Sequence, residues 1–192
     1  LSRRFDPKII SLKEEIKNNS RGELRSISAI YNKGIINNGI HLIDLLKYLL
    51  DDIKLIKVGN LQIDFLQEDP TFPLWITSKN DIPILISSSN SKDFSFFEIQ
   101  FVFSKSVLSI EDGGESWRER KVSRKTNYYG YKSLNKGVFF EGGDFMTMKN
   151  AIQNIYDFLG NKGNLICSID EAISAQIFCE EAKIKSQKQN KK

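Results

Sequence analysis

The most informative segment for the fold is NNGIHLIDLLKYLL, residues 37–50, which follows a predicted strand and contains a predicted helix. Its leucines recur at helical spacing and form an apolar stripe, which predicts a helix that begins near Asn38 and ends before Asp51. The preceding residues, 23–31, alternate apolar and polar side chains and predict a half-buried strand. A strand that leads directly into an apolar helix is therefore the starting point for the fold.

Further helices are predicted from their end signals. Asp6 precedes a proline, and this pair is typical of a helix start because the carboxylate can accept a first-turn N–H bond while proline is tolerated there. Residues 144–159 show helical spacing and are followed by a glycine. Ser168 and Glu171 match the capping-box pattern, which predicts the start of the last helix. Residues 1–5 are interpreted as the end of a strand.

Residues 53–122 change character, because short β-branched or aromatic runs alternate there with turn residues. The predicted strands are 53–66, 74–78, 82–88, 94–103, 107–111 and 115–122. No helix separates them, so we predict a mainly antiparallel sheet and the α+β fold class. Residues 127–137 have no clear period and are predicted to form a loop.

A row of phenylalanines lies in one of these predicted strands. They are Phe94, Phe96, Phe97, Phe101 and Phe103. Such a row suggests either an aromatic platform for a ligand or packing in the core of the sheet. Because aromatic residues are ordinary strand formers, core packing is the favoured interpretation.

Length and composition limit the class of protein. The 192 residues and 22.0 kDa fit a single domain, residues 1–192. The net charge of +4 owes much to a lysine-rich tail without aromatic residues, so a nucleic-acid partner is not predicted. No apolar run approaches the ~20 residues of a membrane span, so no membrane partner is predicted. Cys167 and Cys179 form no Cys-x-x-Cys pair and are expected to be reduced thiols in the cytoplasm.

The motifs of nucleotide and metal sites do not occur in this sequence. It contains no Gly-x-Gly-x-x-Gly run and no P-loop run, so no nucleotide-binding loop is predicted in the chain. His41 is its one histidine, which excludes a multi-histidine metal centre, and no metal site is predicted. If the chain takes part in a reaction, His41 is the candidate residue.

His41 falls in the first turn of the predicted second helix, where free N–H groups and the positive end of the dipole favour a neutral imidazole. Asn37 lies four residues before it and Asp44 three residues after it, so both side chains can approach the ring, and Asp44 can fix its tautomer. Such a ring can accept a proton at neutral pH. In the alternative interpretation Asn37 or Asn38 caps the helix, Asp44 is solvated and His41 is a hydrogen-bonded interface residue.

Three segments together resemble one enzyme family. RRFDP at residues 3–7, GEL at residues 22–24 and the run at residues 37–49 are similar to the C-terminal domain of the glucose-fructose oxidoreductase, inositol dehydrogenase and rhizopine-catabolism family. The most specific part is Gly-x-His-x-x-Asp at residues 39–44. The resemblance implies a largely antiparallel, open-faced sheet with helices packed on one face, as in dihydrodipicolinate reductase and the C-terminal domain of glyceraldehyde-3-phosphate dehydrogenase.

The same resemblance implies cofactors and partners. Family members carry an N-terminal Rossmann domain that binds NAD or NADP and supplies a catalytic lysine, so this chain is expected to be the C-terminal part of a longer protein and to hold no cofactor itself. The expected partners are that nucleotide-binding domain, a sugar-like substrate and further copies in a homodimer or tetramer formed through the sheet face. In this reading His41 occupies the position of the histidine that exchanges a proton with the sugar hydroxyl or carbonyl.

One position departs from the family pattern. Inositol-dehydrogenase-like members have an aspartate where this chain has Asn37, and a similar asparagine is seen in the branch that acts on nucleotide-linked amino sugars. Asn37 and Asn38 are expected to orient substrate oxygens. Tyr31, Lys33 and Arg4 are expected to be further pocket members, with a surface or interdomain ion pair as the alternative for Lys33 and Arg4.

Two hypotheses from different classes follow. In the first, the chain is the substrate-binding domain of an NAD(P)-dependent oxidoreductase that acts on a hydroxyl of a sugar, nucleotide-linked sugar or cyclitol, with His41 as general acid or base. In the second, it is a non-catalytic binding or assembly module with the same fold, for which Asn37 in place of aspartate is the motivation. A basic nucleic-acid binder that uses the lysine tail is a third idea.

Overall fold

A computed structural model describes residues 1–123, 129–142 and 146–190. The helices of this part are α1 (Pro7–Lys17), α2 (Ile40–Leu50), α3 (Thr147–Leu159) and α4 (Ile169–Gln189). Its strands are β1 (Leu24–Tyr31), β2 (Ile53–Val58), β3 (Gln62–Leu66), β4 (Asp69–Thr71), β5 (Leu74–Ser78), β6 (Pro83–Ser88), β7 (Phe97–Phe103), β8 (Ser106–Glu111), β9 (Ser116–Ser123), β10 (Ser133–Leu134) and β11 (Val138–Glu141). None of the described helices is long and apolar enough to cross a bilayer.

The main sheet is open and largely antiparallel, which confirms the predicted fold class. Its strand order is β10-β9-β8-β7-β1-β6-β5-β2, with β11 also paired to β9, and β3 and β4 form a separate hairpin. The pair formed by β1 and β6 is parallel, and the other described pairs are antiparallel. This arrangement places β1, which leads into the second helix, at the centre of the sheet.

The core lies between one face of the sheet and the helices. Alternate residues of the central strands, such as Ile27 in β1 and Ile99 in β7, are buried in one cluster with the apolar stripe of α2. The helix α4 adds Ala175 and Phe178 to the same cluster. Burying these side chains contributes about 1.5–3 kcal/mol for each large one, so this layer holds the start of α2 rigidly against the sheet.

The predicted helix starts are confirmed at α1 and α4. The Asp6 carboxylate accepts a hydrogen bond from Lys8 N at 2.8 Å. Ser168 Oγ accepts from Glu171 N at 3.2 Å, and the Glu171 carboxylate accepts from Ser168 N at 2.8 Å, so the capping box is complete. The predicted third helix is found from Thr147, and residues 144 and 145 of that prediction lie outside the described part.

Three predictions of strand and loop are wrong. Residues 1–5 form a 3-10 turn, Ser2–Phe5, rather than the end of a strand, because Asp6 N donates to Arg3 O and closes the turn. The single strand predicted over 53–66 is broken into β2 and β3. The described part of the predicted loop at 127–137 contains β10, which pairs with the end of β9.

The row of phenylalanines divides into two groups. Phe97, Phe101 and Phe103 are buried in the core, as predicted. The prediction is wrong for Phe94, which is 59% exposed, and Phe96 is only half-buried. Both precede β7, so the alternation that turns the later rings inward does not apply to them.

Candidate active site

A cavity of about 430 Å³ lies beside the start of α2. His41, Asn37 and Asn38 line it, so the structure brings these three residues together as the sequence analysis expected. The 3-10 turn contributes Arg3, and the strand β9 contributes the buried Trp117. The cavity therefore combines an imidazole, two amides, a guanidinium and an aromatic wall, which is a polar and apolar mixture typical of small-molecule sites.

The His41 ring is half-buried and open to this cavity. Among the described residues its ring nitrogens make no hydrogen bond, and both are accessible rather than sealed in the core. Burial lowers the pKa of His41 below its ordinary value, the positive charge of Arg3 lowers it further, and Asp44 acts in the opposite direction. The imidazole is therefore neutral near pH 7 and free to accept a proton from a bound hydroxyl group.

The lowered pKa of His41 predicts the pH dependence of a reaction that uses it as a base. The base must be unprotonated, so the falling limb of kcat/KM for alcohol oxidation should be centred below the ordinary histidine pKa of about 6.5. Folding stability should fall as the pH drops from about 6.5 toward the lower pKa of the folded state, since the unfolded chain binds more protons in that interval. A pH profile of kcat/KM for the full-length protein measures the first effect, and a falling limb centred above about pH 7 contradicts it.

The amides of Asn37 and Asn38 are held by backbone carbonyls. Asn37 Nδ2 donates to Lys33 O at 3.1 Å, and Asn38 Nδ2 donates to Asn32 O at 3.0 Å. In the described part of the chain neither side-chain oxygen accepts a hydrogen bond, so both remain available for substrate hydroxyls. The alternative that one of them caps α2 is wrong, because Gly39 precedes that helix and no side chain caps it.

The segment that carries these amides is fixed by two buried aspartates that the sequence analysis missed. Asp69 accepts from Ile36 N at 2.9 Å and from Asn37 N at 2.8 Å, and so holds the π-helical turn Ile35–Gly39 that precedes α2. Gly34 has φ +83° and approaches so closely that an added Cβ would lie 2.1 Å from the Asp69 carboxylate. The β3–β4 hairpin therefore positions one side of the cavity.

Asp64 secures the same segment from the other strand of the hairpin. Its carboxylate accepts from Lys33 N and Ser91 N, each at 2.9 Å, and from the Thr71 hydroxyl. Burial alone would raise the pKa of Asp64, but these hydrogen bonds outweigh burial and hold the pKa below its usual range. An aspartate within a predicted strand, where this residue is uncommon, is the sequence signal for such a role. The signal does not identify the hydrogen-bond partners.

Replacing Asp69 by alanine should destabilise the protein and loosen the cavity. The change leaves the amides of Ile36 and Asn37 without an acceptor, so we expect the free energy of unfolding to fall by about 2 kcal/mol or more. Urea unfolding followed by circular dichroism measures this change. Glu68→Ala, one residue away and exposed, is the matched control and should stay within about 0.5 kcal/mol of the wild type. Equal values for the two variants would contradict the assigned role.

Four other residues singled out from the sequence lie away from the cavity lining. Tyr31 is buried, and its hydroxyl donates to Phe72 O at 2.8 Å. Lys33 is exposed, with its ammonium group 5.3 Å from the centre of the Phe65 ring. Arg4 and Asp44 are buried together as an ion pair.

Arg3 and Trp117 are among the cavity residues that the sequence did not predict. The Arg3 guanidinium lies 3.9 Å from the centre of the Phe97 ring, and Nη1 donates to Gly113 O. The adjacent Arg4 turns the other way, toward α2. The Arg-Arg pair at residues 3 and 4 was the available signal, but only the 3-10 turn decides which of the two faces the cavity.

Comparison by sequence finds no matching family model and no matching curated protein. Comparison by structure finds solved relatives of low identity. A protein from Desulfitobacterium hafniense assigned as an NADPH-dependent oxidoreductase superposes with a TM-score of 0.76 and 16% identity over 98% of this chain and 62% of its own. UDP-N-acetylglucosamine 3-dehydrogenase GnnA from Acidithiobacillus ferrooxidans gives 0.67 and 11% over 96% of this chain and 59% of its own. The transcriptional regulator Gal80p from Kluyveromyces lactis gives 0.68 and 15% over 98% and 57%.

The chain has the fold of the glucose-fructose oxidoreductase and inositol dehydrogenase family. The resemblance found in the sequence is thereby confirmed at the level of the fold, and the solved relatives include oxidoreductases. The chain spans between 57% and 62% of the length of the three relatives described.

Proposed function

We propose that this chain is the substrate-binding domain of an NAD(P)-dependent oxidoreductase that acts on a hydroxyl group of a sugar, nucleotide-linked sugar or cyclitol. The observation that carries the proposal is the His41 ring, which makes no hydrogen bond among the described residues, has a lowered pKa and lines a cavity together with two amides whose side-chain oxygens are free to accept. The dehydrogenase GnnA, which acts on a nucleotide-linked sugar according to its name, has the same fold and supports the proposal.

The residues of this chain carry out the proton transfer of this reaction. Asn37 and Asn38 accept hydrogen bonds from substrate hydroxyls and orient the ring. His41 takes the proton of the reacting hydroxyl as the carbon–oxygen double bond forms, and returns it in the reverse direction. When bound, NAD or NADP supplies a nicotinamide that exchanges the hydride. The sequence contains no nucleotide-binding loop, so we place the cofactor on a separate nucleotide-binding domain.

An exposed apolar stripe on α3 is the proposed docking surface for that domain. The helix has no buried residue among those described, and its exposed apolar side chains recur at helical spacing. The stripe consists of Met148, Ile152, Ile155, Tyr156 and Leu159, and Phe158 of the same helix is exposed as well. Such a contiguous patch marks an interaction site, and Thr147 at the start of α3 lines the cavity. A domain docked on this stripe would therefore lie beside His41.

The open face of the sheet is the proposed homo-oligomer interface. Trp75 and Leu85 pair across β5 and β6 on the face away from the helices and are 38% and 46% exposed. Leu85→Asp should reduce the assembly size of the full-length protein in light scattering and leave cofactor affinity unchanged. Ile152→Asp on α3 should lower cofactor affinity and leave the assembly size unchanged, so each variant is the control for the other. An unchanged assembly size in Leu85→Asp would exclude this interface.

Calorimetry of the full-length protein with NAD and NADP tests the proposed function. Binding of either cofactor, followed by reduced nicotinamide formed with a sugar or cyclitol, supports the oxidoreductase. The second candidate is a non-catalytic binding or assembly module, which the fold of the regulator Gal80p and Asn37 in place of aspartate favour. Self-association without cofactor binding would select that module and reject the enzyme.

A further inference from the structure

A second cavity adjoins the candidate active site. Its volume is about 470 Å³, and Phe94, Phe96, Glu98 and Asp112 contribute to its lining. Phe97 and Gly113 line both cavities. These two shared residues are also the ones that hold Arg3, since its guanidinium stacks on the Phe97 ring and donates to Gly113 O. Arg3 therefore marks the boundary between the two cavities.

Two of the aromatic residues that line the second cavity, Phe94 and Phe96, are not part of the core. Phe94 is 59% exposed, and its ring meets Phe96 edge to face, with the ring centres 5.5 Å apart at an angle of 63°. The exposed face of this pair is accessible for stacking on a ligand. Core packing does not explain the positions of Phe94 and Phe96. An aromatic platform for a ligand is therefore the interpretation for these two residues.

The charges of the second cavity restrict its ligand. Glu98 and Asp112 place two carboxylates beside the rings. Burial raises the pKa of Glu98 and the nearby carboxylates of Glu111 and Asp112 raise it further, while the Asp112 N–H and the positive charge of Arg118 lower it. The net shift is upward, so additional negative charge beside Glu98 is unfavourable. Carboxylates accept hydrogen bonds from hydroxyl groups and repel phosphates. An uncharged polyhydroxyl ring with an apolar face fits this lining, whereas a nucleoside diphosphate does not.

We propose that the second cavity binds a second sugar ring, so that the substrate is a disaccharide or larger glycoside whose reacting ring lies beside His41. Phe94 and Phe96 stack on the C–H face of that second ring, and Glu98 and Asp112 accept from its hydroxyls. Arg3 lies at the glycosidic link and donates to its oxygens. This assignment rests on the proposed function and selects the uncharged glycosides among its substrate classes.

Binding of paired sugars to the full-length protein tests the assignment. The ligands are glucose with cellobiose and maltose, N-acetylglucosamine with its β-1,4 dimer, and UDP-N-acetylglucosamine, each titrated by calorimetry. We expect at least one disaccharide to bind tenfold or more tightly than its monosaccharide. Phe94→Ala should abolish that gain and leave monosaccharide affinity unchanged. Phe139→Ala is the matched control, because Phe139 is 60% exposed and lines neither cavity.

The sign of a charge change separates a sugar from a nucleotide. Asp112→Asn should weaken disaccharide binding several-fold because an acceptor is lost, and it should strengthen binding of UDP-N-acetylglucosamine if that compound enters the same cavity. A Phe94-dependent gain for the nucleotide-linked sugar alone would overturn the glycoside assignment. Equal affinity for mono- and disaccharides would overturn the second subsite and leave the role of His41 standing. Failure of all these sugars to bind would overturn the glycoside assignment, while cofactor binding and formation of reduced nicotinamide with a cyclitol would leave the proposed function standing.

Discussion

Replacing Arg4 by alanine is expected to lower the free energy of unfolding by about 3–5 kcal/mol, because it leaves a buried carboxylate without its counter-ion. Arg4 is 1% exposed, and Asp44 is fully buried. Arg4 Nε donates to both carboxylate oxygens of Asp44, at 3.0 and 2.9 Å, and Nη1 donates to Glu171 at 2.7 Å. The guanidinium therefore joins the opening turn, α2 and α4.

Urea unfolding measures this loss. Arg25→Ala is the matched control, because Arg25 pairs with Glu23 at the surface and both side chains are more than 60% exposed. Such a pair contributes about 0–1 kcal/mol. A loss below about 1 kcal/mol for Arg4→Ala would show that the buried ion pair does not hold these elements together. If Arg4→Ala instead raises the KM for substrate and leaves stability unchanged, Arg4 belongs to the substrate pocket.

Replacing His41 by glutamine is expected to lower kcat of the full-length protein by about 100-fold or more, since general acid–base groups contribute 10²–10⁴-fold. Glutamine keeps a polar side chain of similar reach but cannot take up the proton. Substrate KM should change far less, because Asn37 and Asn38 still hold the hydroxyls.

The matched control for this variant is Lys33→Gln, a polar change near the same segment but outside the cavity lining. It should retain kcat within a few-fold. Both variants need an unfolding midpoint close to that of the wild type, so that a loss of fold is not mistaken for a loss of chemistry. Turnover of His41→Gln within a few-fold of wild type would remove His41 from the reaction.

Local signals predicted the helix starts and the strand-to-helix passage well. The caps at Asp6 and Ser168 depend on residues two or three positions away, so the sequence contains both partners. The apolar stripe of α2 likewise indicates its buried face. The row of phenylalanines at residues 94–103 predicts one strand, but β7 begins only at Phe97. The outward position of Phe94 therefore could not be predicted from the alternation.

Partners distant in the sequence could not be predicted in this way. The spacing of His41 and Asp44 allowed a contact between them, but Arg4, 40 residues from Asp44, occupies that carboxylate. Asp69 reaches the amide of Asn37 from 32 residues away. The sequence therefore identified His41 at the start of α2 and the two asparagines of the turn before it, while the groups that hold this segment are evident only in three dimensions.

The most direct test of the central claim is an NMR titration of the His41 imidazole, which is the one histidine in the sequence. We expect a pKa below the ordinary value of about 6.5 and a change in the ring signals when a sugar binds. A pKa at or above that value, together with ring signals that do not shift when any sugar binds, would contradict the claim that a neutral imidazole faces the substrate.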